Sequence, residues 1–191
     1  RCTSRGLGDV YKRQAQWSQA TDHQATELAR AKEAYNQQRY ALALHAFETW
    51  IDRADQTESN DFVDASYHAA MSALALYHKD AVVRVKGFMT DFPESPLALQ
   101  AHWELANYHY KRKNYSRASE EFMGIRIRDL AKPKRDELRF KLGHCLFERE
   151  EFEKARVYLY DVLDVEGEFQ APAQYYFCLL YTSDAADDRC C

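Results

Sequence analysis

Cysteine, glycine and proline are scarce in this sequence, and each scarcity closes off a class of protein. Of 191 residues, five are cysteine, six glycine and four proline. Cys2, Cys178, Cys190 and Cys191 sit at the two ends. Cys145 alone stands in the body of the chain, which leaves no disulfide framework and no cysteine-based metal site to build. The glycines of the body, Gly87, Gly124, Gly143 and Gly167, are too scattered for a loop that cradles phosphate. No apolar run approaches the ~20 residues that cross a bilayer. Positive charge is not in excess either, since 26 basic residues face 30 acidic ones for a net charge of −4. A mildly acidic chain without a basic block is a poor partner for nucleic acid, whose binding rests on neutralising phosphates.

The two ends read differently from what lies between them. Asp9-Val10-Tyr11-Lys12-Arg13-Gln14 back-translates to GAT GTG TAT AAG AGA CAG, and Cys178-Leu179-Leu180-Tyr181-Thr182-Ser183 to TGT CTC TTA TAC ACA TCT. Apart from boundary bases, the second string is the reverse complement of the first. The flanks Ser4–Gly8 and Asp184–Asp188 fit primer extensions of the same element. The pair resembles the transposase end used in shotgun library preparation. Residues 1–14 and 178–191 are therefore expected to be translated adapter, and residues 15–177 the native chain. Five basic and four acidic residues fall in those ends, leaving 21 against 26, a net −5.

Between the ends the chain repeats itself. An aromatic residue, then Ala three positions later, then a large apolar residue four further on, recurs as Tyr40-Ala43-Phe47, Tyr115-Ala118-Phe122 and Phe152-Ala155-Leu159. A weaker copy is His78-Ala81-Val85. The alanines are 38, 37 and 37 residues apart, and twelve residues before each lies another small residue: Ala31, Ala69, Ala106 and Gly143. Self-similarity at this period marks stacked supersecondary units.

Composition and three- and four-residue apolar steps make each unit two helices. First helices are expected near 22–36, 62–76, 96–111 and 134–149, second helices near 40–53, 79–91, 115–128 and 152–164, with a fifth unit starting at 171–177. Ser95 suits an N-cap and Pro96 a first helical position; Pro133 and Pro172 serve later units in the same way. The polar run Asp55–Asp61 reads as a loop. The small positions let helices approach, while Phe47, Phe122 and Leu159 fill the space beside them. The predicted fold is all-α, eight helices in antiparallel hairpins over 22–164 with no sheet.

The pattern Leu-small-x2-aromatic, then Ala-x3-Phe, then Pro resembles the tetratricopeptide repeat, whose usual unit is ~34 residues. His102–Tyr110 with Asn114–Ala118 carries it best, and Phe140–Leu146 nearly as well. The resemblance implies a right-handed superhelical solenoid. The extra residues per unit, and Phe92-Pro93-Glu94-Ser95-Pro96 between units, look most like tetratricopeptide proteins of the Gram-negative envelope, of the outer-membrane assembly lipoprotein or Tol–Pal accessory type. That implies a periplasmic or outer-membrane-associated place, with a cytoplasmic one as the alternative. Ala15-Gln16-Trp17 would suit a mature start after a cleaved signal.

In this family the first helices line a concave groove that takes protein or peptide partners. The inward positions here are Lys32, Tyr35 and Asn36, then Trp103, Asn107, Tyr110 and Lys111, then His144 and Phe147, with only Ser66, Ala70 and Ala73 from the second unit. Trp103, Asn107 and Tyr110 share one helical stripe, expected to stand partly open as an aromatic platform for a peptide. The other reading is that Trp103, Tyr110 and Phe147 pack against the next unit. A cationic clamp for a C-terminal carboxylate is absent, because the matching positions hold Leu28, Ser66, Trp103 and Phe140, and one step on only Lys141 is basic.

Catalytic and metal constellations do not assemble. No two of His23, His45, His68, His78, His102, His109 and His144 form a metal pair at the i, i+4 spacing on a helix, so each reads as a surface or groove residue. His144 and Cys145 are sequence neighbours that diverge by about 100° on a helix, and Cys145 reads as a buried thiol. No cofactor is implied. The expected function is a non-enzymatic protein-interaction scaffold. The alternative is a sensory or regulatory repeat module of a larger enzyme or receptor.

Overall fold

The computed structural model describes residues 23–54, 57 and 59–187. The expectations for residues 1–14, for a start at Ala15-Gln16-Trp17 and for 188–191 lie outside the described residues. Helix α1 covers residues 23–36. It is followed by α2 (Tyr40–Arg53), α3 (Asn60–Ala75), α4 (Ala81–Asp91), α5 (Pro96–Lys111), α6 (Tyr115–Gly124), a 3-10 turn (Ile127–Asp129), α7 (Lys132–Glu148), α8 (Phe152–Tyr160) and α9 (Gln170–Asp187). The described residues contain no strand. The chain divides into two compact units, Arg1–Ala98 and Leu99–Cys191.

Each first helix turns back into its second through the same backbone device. Gln38, Tyr77, Lys113 and Glu150 have φ of 60°, 57°, 57° and 61°, in the left-handed region. The next N–H in each case reaches back five residues: Arg39 to the Ala34 carbonyl, His78 to Ala73, Asn114 to His109 and Glu151 to Leu146, at 2.9 to 3.1 Å. Those bonds, with the shorter ones from Gln38 to Tyr35, Tyr77 to Leu74, Lys113 to Tyr110 and Glu150 to Phe147, satisfy carbonyls that the helix end would leave orphaned. The chain re-enters a helix at once in three of the four cases. Ala43, Ala118 and Ala155 donate to the carbonyls of Arg39, Asn114 and Glu151. In the His78 copy two more residues intervene before α4.

The small positions lie where helices meet. Ala43, Ala81, Ala118 and Ala155 are fully buried, and Ala31, Ala69, Ala106 and Gly143 are buried too. In the first unit Phe47, Trp50, Val85 and Phe88 fill the space beside them, and the Trp50 indole donates to the Gln24 carbonyl at 3.1 Å. In the second unit Phe122, Leu138, Leu142, Leu146 and Leu159 do so. Helix α9 runs from Gln170 through Cys178–Tyr181, and Leu180 is buried in that same core.

Several element boundaries differ from expectation, four of them with a readable local setting. Asn60 and Asp61 are helical, because the Ser59 hydroxyl caps α3 by accepting from the Phe62 N–H at 3.2 Å. Helix α6 stops at Gly124 instead of running to 128. The chain bends there so that Ile125 and Leu130 can both be buried. Helix α8 stops at Tyr160, after which Val162 turns into the core. Pro133 sits inside the first turn of α7, behind Ala131 and without a side-chain cap. Ser95 caps α5 as expected, accepting from Leu97 at 3.2 Å.

Candidate functional site

The residues singled out in the third and fourth repeats converge on one face of the second unit, between α5 and α7. Trp103 and Asn107 are 4% and 7% exposed, so the expectation of a stripe open to water is corrected at both. The cause is the neighbouring helix. Lys134 and Lys141 of α7 stand over the Trp103 ring at 5.5 and 5.8 Å, and Phe122 of α6 packs edge-on at 5.9 Å. The Lys141 ammonium also lies 5.5 Å from the Tyr110 ring, donates to Asn107 Oδ1 at 2.6 Å and pairs with Glu137 one turn earlier. A half-buried cation is thus matched by a carboxylate, an amide and two aromatic faces, each cation–ring contact being worth ~0.5–2 kcal/mol according to its desolvation.

One turn further along, the Tyr110 hydroxyl lies 2.8 Å from His144 Nδ1. His144 is enclosed by rings, with Tyr176 at 4.7 Å, Tyr115 at 5.4 Å and Phe140 stacked at 6.2 Å. Burial pushes the His144 pKa down, against a smaller upward pull from Glu148, whose carboxylate is 3.5 Å from Nε2. The neutral ring then has Nδ1 as acceptor for the Tyr110 hydroxyl and its proton on Nε2, toward Glu148. Burial, with smaller contributions from Cys145, Tyr115, Tyr176 and Glu148, raises the Tyr110 phenol well above the ordinary value, so it remains a donor. Phe147 is half-buried between Phe152 and Tyr176, and Lys111 is exposed.

Lys32, Tyr35 and Asn36 belong to the other unit. Lys32 pairs with Asp64 of α3, Tyr35 meets His68 edge-on at 4.8 Å and Tyr40 at 5.5 Å, and Asn36 is exposed. The α3 residues expected on that side, Ser66, Ala70 and Ala73, are placed elsewhere. Asp64 and His68 face α1, Ala73 is fully buried, and Ser66 and Ala70 line a cavity between α2, α3 and α4. That cavity measures about 590 Å³. Sequence reasoning also missed Glu137, Glu148 and Tyr176. The Glu137–Lys141 pair had a readable signal in its i, i+4 spacing.

The remaining reactive groups have structural partners. His102 pairs with Glu121 at 3.1 Å, and its ring fills the space where a β-carbon on Gly124 would stand, 2.7 Å from Cε1. His109 is buried, contrary to a surface placement. Cys145 is fully buried, and burial pushes its thiol up to about 12. Among the described residues no group of three His, Cys, Asp or Glu side chains is arranged to hold a metal ion, and no helix is long and apolar enough to cross a membrane.

No family model and no curated protein matches the chain. Solved structures do. MamA AMB-1 in its P212121 form is 16% identical with a TM-score of 0.66, covering 88% of this chain and 86% of its own. MamA RS-1 ArsTM double mutant is 13% identical with a TM-score of 0.61, covering 88% of this chain and 98% of its own. A Podosopora anserina protein of kinesin light chain type, with nearly identical TPR-like repeats, is 14% identical with a TM-score of 0.62, covering 86% and 88%. At these identities the likeness concerns the fold: the chain has the all-α, TPR-like helical-repeat fold.

Proposed function

We propose that this chain is a protein-interaction module of tetratricopeptide type, without catalysis of its own, and that the α5–α7 face receives a peptide or protein partner. The observation that carries the reading is the cluster of Asn107, Tyr110, Lys141 and His144, whose polar groups are ordered by side-chain contacts from one repeat to the next. Tyr110 and Phe147 stand half-buried, Lys111 next to Tyr110 in sequence is exposed, and the two rings offer surface at low entropic cost. Trp103 contributes as the floor under Lys141 and not as an open anchor. The connector Phe92-Pro93-Glu94-Ser95-Pro96 supports placing the module in a cell-envelope protein.

The test is a selection of peptides from a random display library on the full chain, followed by binding measurements with Lys111→Glu and Lys141→Gln. Glutamine removes the charge and leaves a polar side chain facing Asn107 and Glu137. Selected peptides that lose affinity to both variants, measured where each variant is still folded, support the reading. No enriched peptide, or peptides indifferent to both variants, overturns it.

A further inference from the structure

We infer that the cavity between α2, α3 and α4 is a second binding site, built for a basic side chain on an apolar-flanked segment of a partner protein. Three helical stripes converge on it. Helix α3 supplies Ser66, Ala69 and Ala70 as a low floor and Phe62 at its edge. Helix α4 supplies Gly87, where an added β-carbon would meet nothing within 4 Å. The glycine is therefore not needed for close packing, and the space it leaves is open. The walls are aromatic: Phe92 lies 5.4 Å from Phe88 and 6.3 Å from Phe62. At about 590 Å³ the cavity is of the size that holds a ligand or a few side chains.

Charge selects the occupant. The lining has one cation, Arg84, which is already bound by Glu48 and Asp80. The hydrogen bonds it donates to those two carboxylates raise the guanidinium pKa further, so Arg84 is not a free cation for an anionic ligand. Asp52 and Asp91, also in the lining and exposed, have no ion-pair or hydrogen-bond partner among the described residues. An acidic or phosphorylated segment would meet two uncompensated carboxylates. A purely apolar one would cover them without replacing their water. An arginine or lysine lays its stem on the Ala–Gly floor, puts its head against Asp52 or Asp91 and meets the phenyl faces favourably. This site is separate from the α5–α7 face and does not depend on the reading proposed for it.

The experiment uses the full chain and three dansylated peptides of alternating leucine with arginine, citrulline or glutamate. The arginine peptide is expected to bind saturably and more weakly as salt rises. Citrulline, neutral and of the same shape, is expected to bind at least ~10-fold more weakly, as is the arginine peptide with the Asp52→Asn/Asp91→Asn variant. Gly87→Leu should abolish binding with a melting temperature at or above that of the wild type, while Lys141→Gln should bind as the wild type does. Equal binding of the citrulline peptide, stronger binding of the glutamate peptide, or binding untouched by both the carboxylate and the Gly87 variants would overturn the inference.

Discussion

Gly143 on α7 and Leu159 on α8 come so close that a β-carbon on the glycine would lie 2.8 Å from Leu159 Cγ and 3.3 Å from its backbone nitrogen. The other three repeats place alanine at the position of Gly143, opposite Phe47, Val85 and Phe122, so the missing methyl here reflects how closely Leu159 itself approaches. Gly143→Ala gains up to ~1 kcal/mol of helix propensity but overpacks a fully buried neighbour at ~1–3 kcal/mol. The expected result is a net loss of stability. In a Leu159→Ala background the same substitution should turn neutral or stabilising. Chemical denaturation of the two single variants and the double variant measures the coupling, and additive behaviour would show that the contact is unimportant.

The left-handed residue of each repeat turn is not glycine, and that is a correctable strain. Lys113 and Glu150, both exposed, hold φ of 57° and 61°. A side chain there costs roughly 1–2 kcal/mol in an L-residue, part of which returns as lower unfolded-state entropy than glycine has. Lys113→Gly and Glu150→Gly should each stabilise by ~0.5–1 kcal/mol, and together nearly additively, because the turns are separate. Lys113→Ala, which keeps the β-carbon, should show no such gain. Melting temperatures of the four variants against the wild type decide it.

The repeat was legible because its signal is local and periodic. Ala43, Ala118 and Ala155 each open a second helix three residues after an aromatic, and burial at those sites follows from the approach of two helices. The stop at Gly124 was not legible. Residues 115–128 carry adequate helix formers, and the reason to bend is the burial of Ile125 and Leu130, which depends on distant side chains. Trp103 shows the same limit at the candidate site. Its stripe on α5 is readable, but its burial comes from Lys134 and Lys141, thirty or more residues later. The turns at Gln38, Tyr77, Lys113 and Glu150 carried no glycine to announce them.

Trp103→Ala discriminates between a groove anchor and a core residue. Its 4% exposure and its contact with Phe122 predict a stability loss of ~3–5 kcal/mol, the cost of truncating a buried large aromatic. Trp103→Phe should recover much of it. A Trp103→Ala protein with wild-type stability would place the ring outside the core.

Cys145 should behave as an inert thiol. It is fully buried and its pKa is pushed up to about 12, so thiolate at neutral pH is negligible. Cys178 is exposed. Brief treatment of the native chain with iodoacetamide, followed by peptide mapping, should find Cys178 alkylated and Cys145 not, with Cys145 reacting once urea unfolds the chain. Native labelling of Cys145 at the rate of Cys178 would contradict the burial.

The ring cluster at His144 gives the fold a dependence on acid whose sign can be fixed in advance. Burial lowers the His144 pKa, so the folded state takes up a proton less readily than the unfolded chain, where the value is ~6.5. The stability linked to this ring is therefore fully present above ~6.5 and is lost as pH falls from there toward the lower folded value, below which His144 contributes no further change. Protonation would also cost Nδ1 its role as acceptor for the Tyr110 hydroxyl. Urea midpoints at pH 7.5 and 5.5 should fall further for the wild type than for His144→Gln, which cannot titrate. Glu148 opposes the burial effect, so Glu148→Gln should depress the folded pKa more and widen the acid loss relative to the wild type. An acid loss equal in wild type and His144→Gln would assign the dependence to other groups, and a smaller loss in Glu148→Gln would reverse the charge argument made for this pair.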